Sequence, residues 1–246
     1  MQVAIFVQAR MGSTRLPGKV MMPVLGKPLL EFLTERLARS SEANSYRILT
    51  TTESIDDPIA DFCHSNHIPC FRGPNEDVLS RYYQAAQLYP ADAFVRITAD
   101  CPLIDPALID QVISTFRKEH HLYDYMSNSL VRTFPRGMDV EIFTSEALTK
   151  AFQNAPSASE REHVTLYMYQ NPQKFRCKNI PSPTNLQQYR LTVDTPEDYT
   201  LIKLILEDLY PRCPQFTLSD IITLLKSHSD WLLINAHVQQ KKHTIN

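Results

Sequence analysis

Short β-branched runs alternate along this chain with stretches of helical period, and that alternation constrains the fold more than any other feature. Val3-Ala-Ile-Phe-Val7 is followed by Leu29, Leu30, Phe32, Leu33 and Leu37, which fall near one helical face. Tyr46 to Thr51 precedes a helix that Asp56, Asp57 and Pro58 would start. Ile68-Pro-Cys-Phe71 precedes a helix from about Glu76 to Leu88, and Asp92 to Thr98 precedes one from about Pro106 to Glu119. Parallel strands joined in this way need helices over both faces of the sheet, so the expected class is α/β, three-layered around a mostly parallel sheet.

After residue 120 the rhythm changes. Tyr123 to Phe143 reads as extended segments around the turn-like Phe134-Pro-Arg-Gly137, with helical stretches near 145–155 and 160–170. Tyr189 to Val193 reads as a returning strand, Thr195-Pro-Glu-Asp198 as the start of a helix through Leu201 to Leu209, and Phe216 to Lys226 as one more helix. The tail from Gln239 is expected to fray. No repeat, low-complexity stretch or linker interrupts the chain. Residues 1–246 are therefore expected to form a single domain, with 120–185 as an excursion from the sheet.

A chain of 246 residues, 43% hydrophobic, buries roughly 70–75% of its unfolded surface and needs no cross-link to hold a core. Its five cysteines form an odd set without a C-x-x-C pair, which argues against a disulfide framework and a cysteine zinc site and for a reducing cytoplasm. The formal charge of -2 lacks the electrostatic footprint of a nucleic-acid binder, so any anion must be held locally. The apolar start is too short for a signal-peptide core, and no apolar run approaches the roughly 20 residues of a membrane span.

In open α/β sheets ligands bind beyond the carboxyl ends of the strands. The loop Gln8-Ala-Arg-Met-Gly-Ser-Thr-Arg-Leu-Pro-Gly-Lys19 follows the first strand and spends two of the five glycines. Gly12 permits close backbone approach, the hydroxyls of Ser13 and Thr14 can bond phosphate oxygens, and Arg10, Arg15 and Lys19 can neutralise a triphosphate. It is not a Walker loop, because five residues separate Gly12 from Gly18 and Val20 stands where a Mg-binding hydroxyl is required. The dinucleotide fingerprint is absent too. Asp100 and Asp194 each directly follow a strand, and two such carboxylates suit Mg²⁺, although either alone reads equally well as a turn former or helix cap. Tyr82, Tyr83, Tyr167 and Tyr169 have the spacing of packed helix faces, and Cys101 lacks a partner base and reads as a small turn residue.

The loop Gln8 to Lys19 resembles the nucleotide loop of the sugar-acid cytidylyltransferases, which include the CMP-Kdo and CMP-sialic acid synthetases, and most resembles the branch named for spore-coat polysaccharide biosynthesis protein F. The likeness continues through Arg72-Gly73, Asp77 to Tyr82, Arg96 to Asp105, Pro135 to Glu141, Glu160 to Val164 and Val193 to Asp198, covering roughly residues 1–210. It implies a mixed sheet of the nucleotide-diphospho-sugar transferase (glycosyltransferase A-like) fold, with CTP and Mg²⁺ as ligands. A sugar-acid hydroxyl would attack the α-phosphorus, and pyrophosphate would leave, in the service of a surface polysaccharide or glycan. By position, Gln8, Ala9, Arg10, Gly12, Ser13, Thr14, Arg15, Lys19, Thr51, Arg72 and Asp100 would surround the nucleotide. Arg10, Arg15, Lys19 and Asp100 would carry the catalysis, and Asp100 and Asp194 would hold the metal.

The acceptor side falls in 125–165, where Asn128, Arg132, Arg136, Asp139, Glu141, Arg161, Glu162 and His163 gather partners for hydroxyls and a carboxylate. For His163, a plain helix-surface residue is as good a reading as a ligand. Related synthetases imply a homodimer through 120–185, while the cysteine set, net charge and hydropathy point to a cytoplasmic protein without nucleic-acid or membrane partners. Two alternatives remain open to the sequence. A glycosyltransferase on this fold would carry an Asp-x-Asp metal motif, whose first aspartate is Thr98 here. A non-catalytic nucleotide-binding partner of a polysaccharide operon would not need Asp100 or Asp194.

Overall fold

The computed structural model describes residues 1–240. The chain runs β1 (Val3–Gln8), β2 (Pro23–Val24), β3 (Lys27–Pro28), α1 (Leu29–Leu37), β4 (Ser45–Thr51), α2 (Asp57–Ser65), β5 (Cys70–Gly73), α3 (Val78–Leu88), β6 (Ala93–Thr98) and α4 (Pro106–Glu119). It continues through β7 (Tyr125–Ser127), β8 (Glu141–Thr144), α5 (Ser145–Asn154), α6 (Ala158–Glu162), α7 (Leu166–Gln170), β9 (Cys177–Asn179), α8 (Pro196–Leu209) and α9 (Leu218–Ser227). Seven strands form one sheet in the order β5-β4-β1-β6-β8-β7-β9, and β2 pairs with β3 in a small hairpin. β5, β4, β1 and β6 are parallel, β8 runs antiparallel to both β6 and β7, and β9 lies parallel to β7.

The period of two along β1 divides the core. Val3, Ile5 and Val7 join the layer built with α1, α4, α8 and α9, while Ala4 and Phe6 join the layer built with α3, α5 and α7. Phe6 is fully buried, with its ring 4.7 Å from Phe94 and edge-on to Tyr82 at 5.9 Å. This is the three-layer, mostly parallel mixed sheet expected of the chain. Asp105 caps α4 by accepting from Ala107 N at 2.9 Å, and Thr195 and Asp198 close a capping box on α8.

Three local readings differ. The 120–185 segment returns to the sheet as β7, β8 and β9, because the apolar Ile142 and Phe143 pair with Val95 and Phe94 and extend both buried faces. Tyr189 to Val193 is no strand: its ladder is one parallel bridge between Arg136 and Arg190, since the neighbouring backbone groups bond across to loops. The helical stretch at 160–170 breaks into α6 and α7 at Val164, whose positive φ of 36° a β-branched residue cannot hold within a helix. The expected fraying concerns a tail that from residue 241 lies outside the described residues. Among the described residues no helix is long and apolar enough to cross a membrane.

β1 has β4 on one side and β6 on the other, so the chain departs in opposite directions from the carboxyl ends of β1 and β6, where Gln8 and Thr98 are register partners. A crevice at such a switch point is where this class of sheet places ligands.

Candidate active site

The loop after β1 is closed on itself: Met11 O accepts from Ser13 N and Gly18 N, each at 2.9 Å. Gly18 adopts the left-handed conformation at φ 71° and opens a 3-10 turn over Lys19–Met21, which turns the Lys19 side chain into the crevice. Across the crevice, Asp100 follows β6, and its carbonyl accepts from Val193 N at 2.8 Å and from Thr192 Oγ1 at 3.1 Å. Those bonds bring residue 194 beside residue 100 despite the 93 intervening residues. The two carboxylates meet on one ammonium: Lys19 Nζ lies 2.8 Å from Asp100 Oδ2 and 2.8 Å from Asp194 Oδ1.

Each carboxylate is also held from behind. Thr98 Oγ1 donates to Asp100 Oδ1 at 2.6 Å, while Arg15 and Arg190 approach Asp194 Oδ2 at 2.8 and 2.9 Å. Arg190 is itself clamped by the fully buried Asp198, with Nε to Oδ1 at 2.8 Å and Nη2 to Oδ2 at 2.9 Å. Burial favours the neutral form of both Asp194 and Lys19, but their mutual attraction outweighs it. Asp194 is held below its ordinary carboxylate pKa by Lys19, Arg15 and Arg190, and Lys19 is raised above that of a free lysine by Asp100 and Asp194. Burial pushes the Cys101 thiol well up, so it is a neutral small residue packed against Thr98 rather than a nucleophile.

The crevice opens into a cavity of about 1160 Å³. Of the loop residues expected at the nucleotide, Gln8, Ala9, Arg10, Gly12, Ser13, Thr14, Arg15 and Lys19 all line it, as do Asp100 and Asp194. Arg136, Asp139, Glu141, Glu162 and His163 line its far side. Four expected site residues are spent elsewhere. Thr51 is fully buried and hydrogen-bonds Asp56, while Arg72 folds back on the carbonyls of Thr51 (2.8 Å) and Glu53 (3.0 Å) and on Asp57 (2.7 Å). Asn128 is buried with its amide donating to Met138 O at 2.6 Å and accepting from Val140 N at 2.9 Å, which fixes the turn before β8 instead of facing the cavity. Arg161 pairs with Asp77 at the start of α3.

Arg96, Tyr125 and Thr165 join the site without having been singled out for it. Arg96 projects from β6 to bond Gln8 Oε1 at 3.0 Å and to pair with Glu141. Glu141 also accepts from Tyr125 Oη and Thr165 Oγ1, both at 2.6 Å. Burial alone would raise the pKa of Glu141, yet Arg96 and the two hydroxyls hold it below the ordinary value. The signal was a charged residue within the apolar run Phe94-Val-Arg-Ile97. Arg132 locks Asp139 through two contacts of 2.5 and 3.1 Å. Arg136, in contrast, makes no side-chain hydrogen bond or ion pair within 4 Å among the described residues. Burial and the nearby Arg132 lower its pKa, and its donors are available to a ligand.

Two hard carboxylates converging on a cation, beside a loop of fixed basic residues, form a site that fits a divalent metal next to polyphosphate, with the Lys19 ammonium as a stand-in ion. The sequence from residue 4 to 236 matches the family model described as cytidylyltransferase. This chain belongs to that cytidylyltransferase family. It is 33% identical to the spore coat polysaccharide biosynthesis protein SpsF of Bacillus subtilis strain 168, over 93% of this chain and 95% of that one. It is 29% identical to a 3-deoxy-manno-octulosonate cytidylyltransferase of Trichlorobacter lovleyi, over 69% and 76%. The solved cytidylyltransferase of Leptospira borgpetersenii serovar Hardjo-bovis superposes with a TM-score of 0.91 at 37% identity, over 99% of this cytidylyltransferase and all of that chain. The expected fold family is thereby the observed one.

Proposed function

We propose that this cytidylyltransferase transfers CMP from CTP to the hydroxyl of an ulosonic or nonulosonic sugar acid, releasing pyrophosphate, with Mg²⁺ as its cofactor. The observation that carries the proposal is the meeting of Lys19, Asp100 and Asp194 at the switch point, within 2.8 Å contacts, at the mouth of the cavity. Relatives of the chain named for 3-deoxy-manno-octulosonate and for spore coat polysaccharide support a sugar-acid acceptor and a role in surface glycan synthesis.

In the proposed reaction the loop from Gln8 to Lys19 wraps the triphosphate with the hydroxyls of Ser13 and Thr14 and with backbone N–H groups, while Arg10, Arg15 and Lys19 offset charge on the leaving pyrophosphate. Asp100 and Asp194 would hold Mg²⁺, which supplies charge neutralisation at the phosphates. Arg136 faces the same cavity with an unoccupied guanidinium and grips the acceptor carboxylate, and Asp139, Glu141, Glu162 and His163 surround the sugar hydroxyls. Arg132 holds Asp139 and Arg96 holds Glu141, so these acceptor groups are oriented before the substrate arrives. We place the reaction in the cytoplasm and assign a homodimer through 120–185.

The test is pyrophosphate release from CTP with Mg²⁺ across a panel of sugar acids and their neutral counterparts. Release with at least one acid and none with the matching neutral sugar is expected. Arg136→Ala should raise KM for the acid by roughly 100-fold, as for a lost charged hydrogen-bond partner, while leaving CTP binding within about twofold. Equal turnover of neutral sugars, or no release with any acid, would overturn the proposal.

A further inference from the structure

The position of Lys19 has a consequence for the order in which ligands enter. Its ammonium stands between Asp100 Oδ2 and Asp194 Oδ1, 2.8 Å from each, and the side chain is largely buried. The remaining oxygens of the same carboxylates already serve Thr98, Arg15 and Arg190. The oxygen pair that faces the ammonium is therefore the pair left for any incoming cation. A Mg²⁺ or Mn²⁺ ion needs carboxylate oxygens at roughly 2.0–2.2 Å, and it cannot share that space with an ammonium bonded to both. Charge points the same way: Lys19, Arg15 and Arg190 balance Asp100, Asp194 and Asp198, so the cluster offers a lone divalent cation no excess negative charge.

Resting on the proposed use of CTP and a divalent ion, we infer that Lys19 is the resident cation of the two-aspartate site in the nucleotide-free protein, and that it excludes the metal until nucleotide arrives. The phosphates of the nucleotide supply the competing anion. They draw the ammonium away from Asp100 and Asp194 and bring in the charge that a divalent ion requires, so metal enters with nucleotide and not before it. Lys19 thus has two positions, one in the carboxylate clamp and one on the phosphates.

Mn²⁺ binding to the full chain, read by electron paramagnetic resonance without nucleotide, tests this directly. Lys19→Met should bind Mn²⁺ at least about tenfold more tightly than wild type, because the clamp is emptied and left with net negative charge. Arg15→Met removes a cation that also contacts Asp194 at 2.8 Å but does not stand between the carboxylates, and it should change affinity by less than about threefold. Adding Asp100→Asn to Lys19→Met should abolish the gain, and thermal unfolding of each variant shows that it is folded. Equal affinity of Lys19→Met and wild type, or an equal gain in Arg15→Met, would overturn the inference. None of these comparisons needs nucleotide. A companion titration with CTP, which should promote Mn²⁺ binding in wild type, therefore separates failure of the proposed function from failure of the Lys19 assignment.

Discussion

The ion pair between Arg96 and Glu141 lies inside the fold, one partner on β6 and the other opposite it on β8. Glu141 accepts from three donors, Arg96, Tyr125 and Thr165, and its removal strands a guanidinium whose other side-chain partner is Gln8 at 3.0 Å. Glu141→Leu should cost about 5 kcal/mol, combining an uncompensated buried charge with two hydroxyls deprived of an acceptor. Arg96→Met should cost about 3 kcal/mol, since Tyr125 and Thr165 still donate to the carboxylate left behind. The double variant buries no charge at that position and should cost only about 2–3 kcal/mol, less than Glu141→Leu alone. Urea unfolding of the four proteins at neutral pH gives the cycle, and the expected coupling exceeds about 3 kcal/mol. In thermal scans, Glu141→Leu should melt about 10–20 °C below wild type, given roughly 2–4 °C per kcal/mol at this size. Single costs that add in the double variant to within about 0.5 kcal/mol would refute the reasoning, because the charges would then be stabilised independently by solvent.

Gly137 stands at φ 93°, and a Cβ there would come within 2.3 Å of Leu191 O, so Gly137→Ala should lose about 3–5 kcal/mol in urea unfolding. Gly12→Ala meets nothing within 4 Å and should leave stability within about 0.5 kcal/mol. For pH, Asp194 is depressed in the folded state, so the stability it confers is present above the unfolded carboxylate value of about 3.9 and is lost as pH falls below it. Lys19 is raised, so its share is complete below about 10.4 and disappears as pH rises through its folded value. The stability difference between wild type and Asp194→Asn should accordingly stay flat from about pH 5 to 10 and shrink on either side. A difference that grows below pH 4 would contradict the ion-pair account.

The sequence displays periodicity, and periodicity decides β1, β4, β6 and the helices α1, α3 and α4, whose residues are apolar on the faces they bury. Strand-end position made Asp100 legible beyond β6, and the basic loop after β1 made Lys19 so, whereas Asp194 was expected after a strand that the structure reduces to a single bridge. What periodicity does not display is the direction in which a polar residue is consumed. Asn128 and Arg136 look alike as polar residues of one acceptor stretch, but the first is taken up by the backbone of Met138 and Val140 and the second keeps its donors in the cavity. Tyr189 to Val193 shows the same gap for backbone: its composition suits a strand, while its hydrogen bonds go to Arg136 and Asp100.

Those diverted bonds are also what assembles the site. Because Val193 donates to the carbonyl of Asp100 and Leu191 donates to that of Arg136, the stretch 190–194 links the end of β6 to the turn before β8, and the Asp100 side of the cavity to the Arg136 side. A regular strand there would have paired with a neighbouring edge and carried Asp194 along the sheet. Asp198 completes the link by capping α8 and clamping Arg190 behind Asp194, so one carboxylate fixes both the helix start and the position of a site aspartate. Its capping role is readable from Thr195-Pro-Glu-Asp198 alone. Its second role requires Arg190 to lie across the turn, a placement set by the bridge to Arg136 and therefore by contacts made far along the chain.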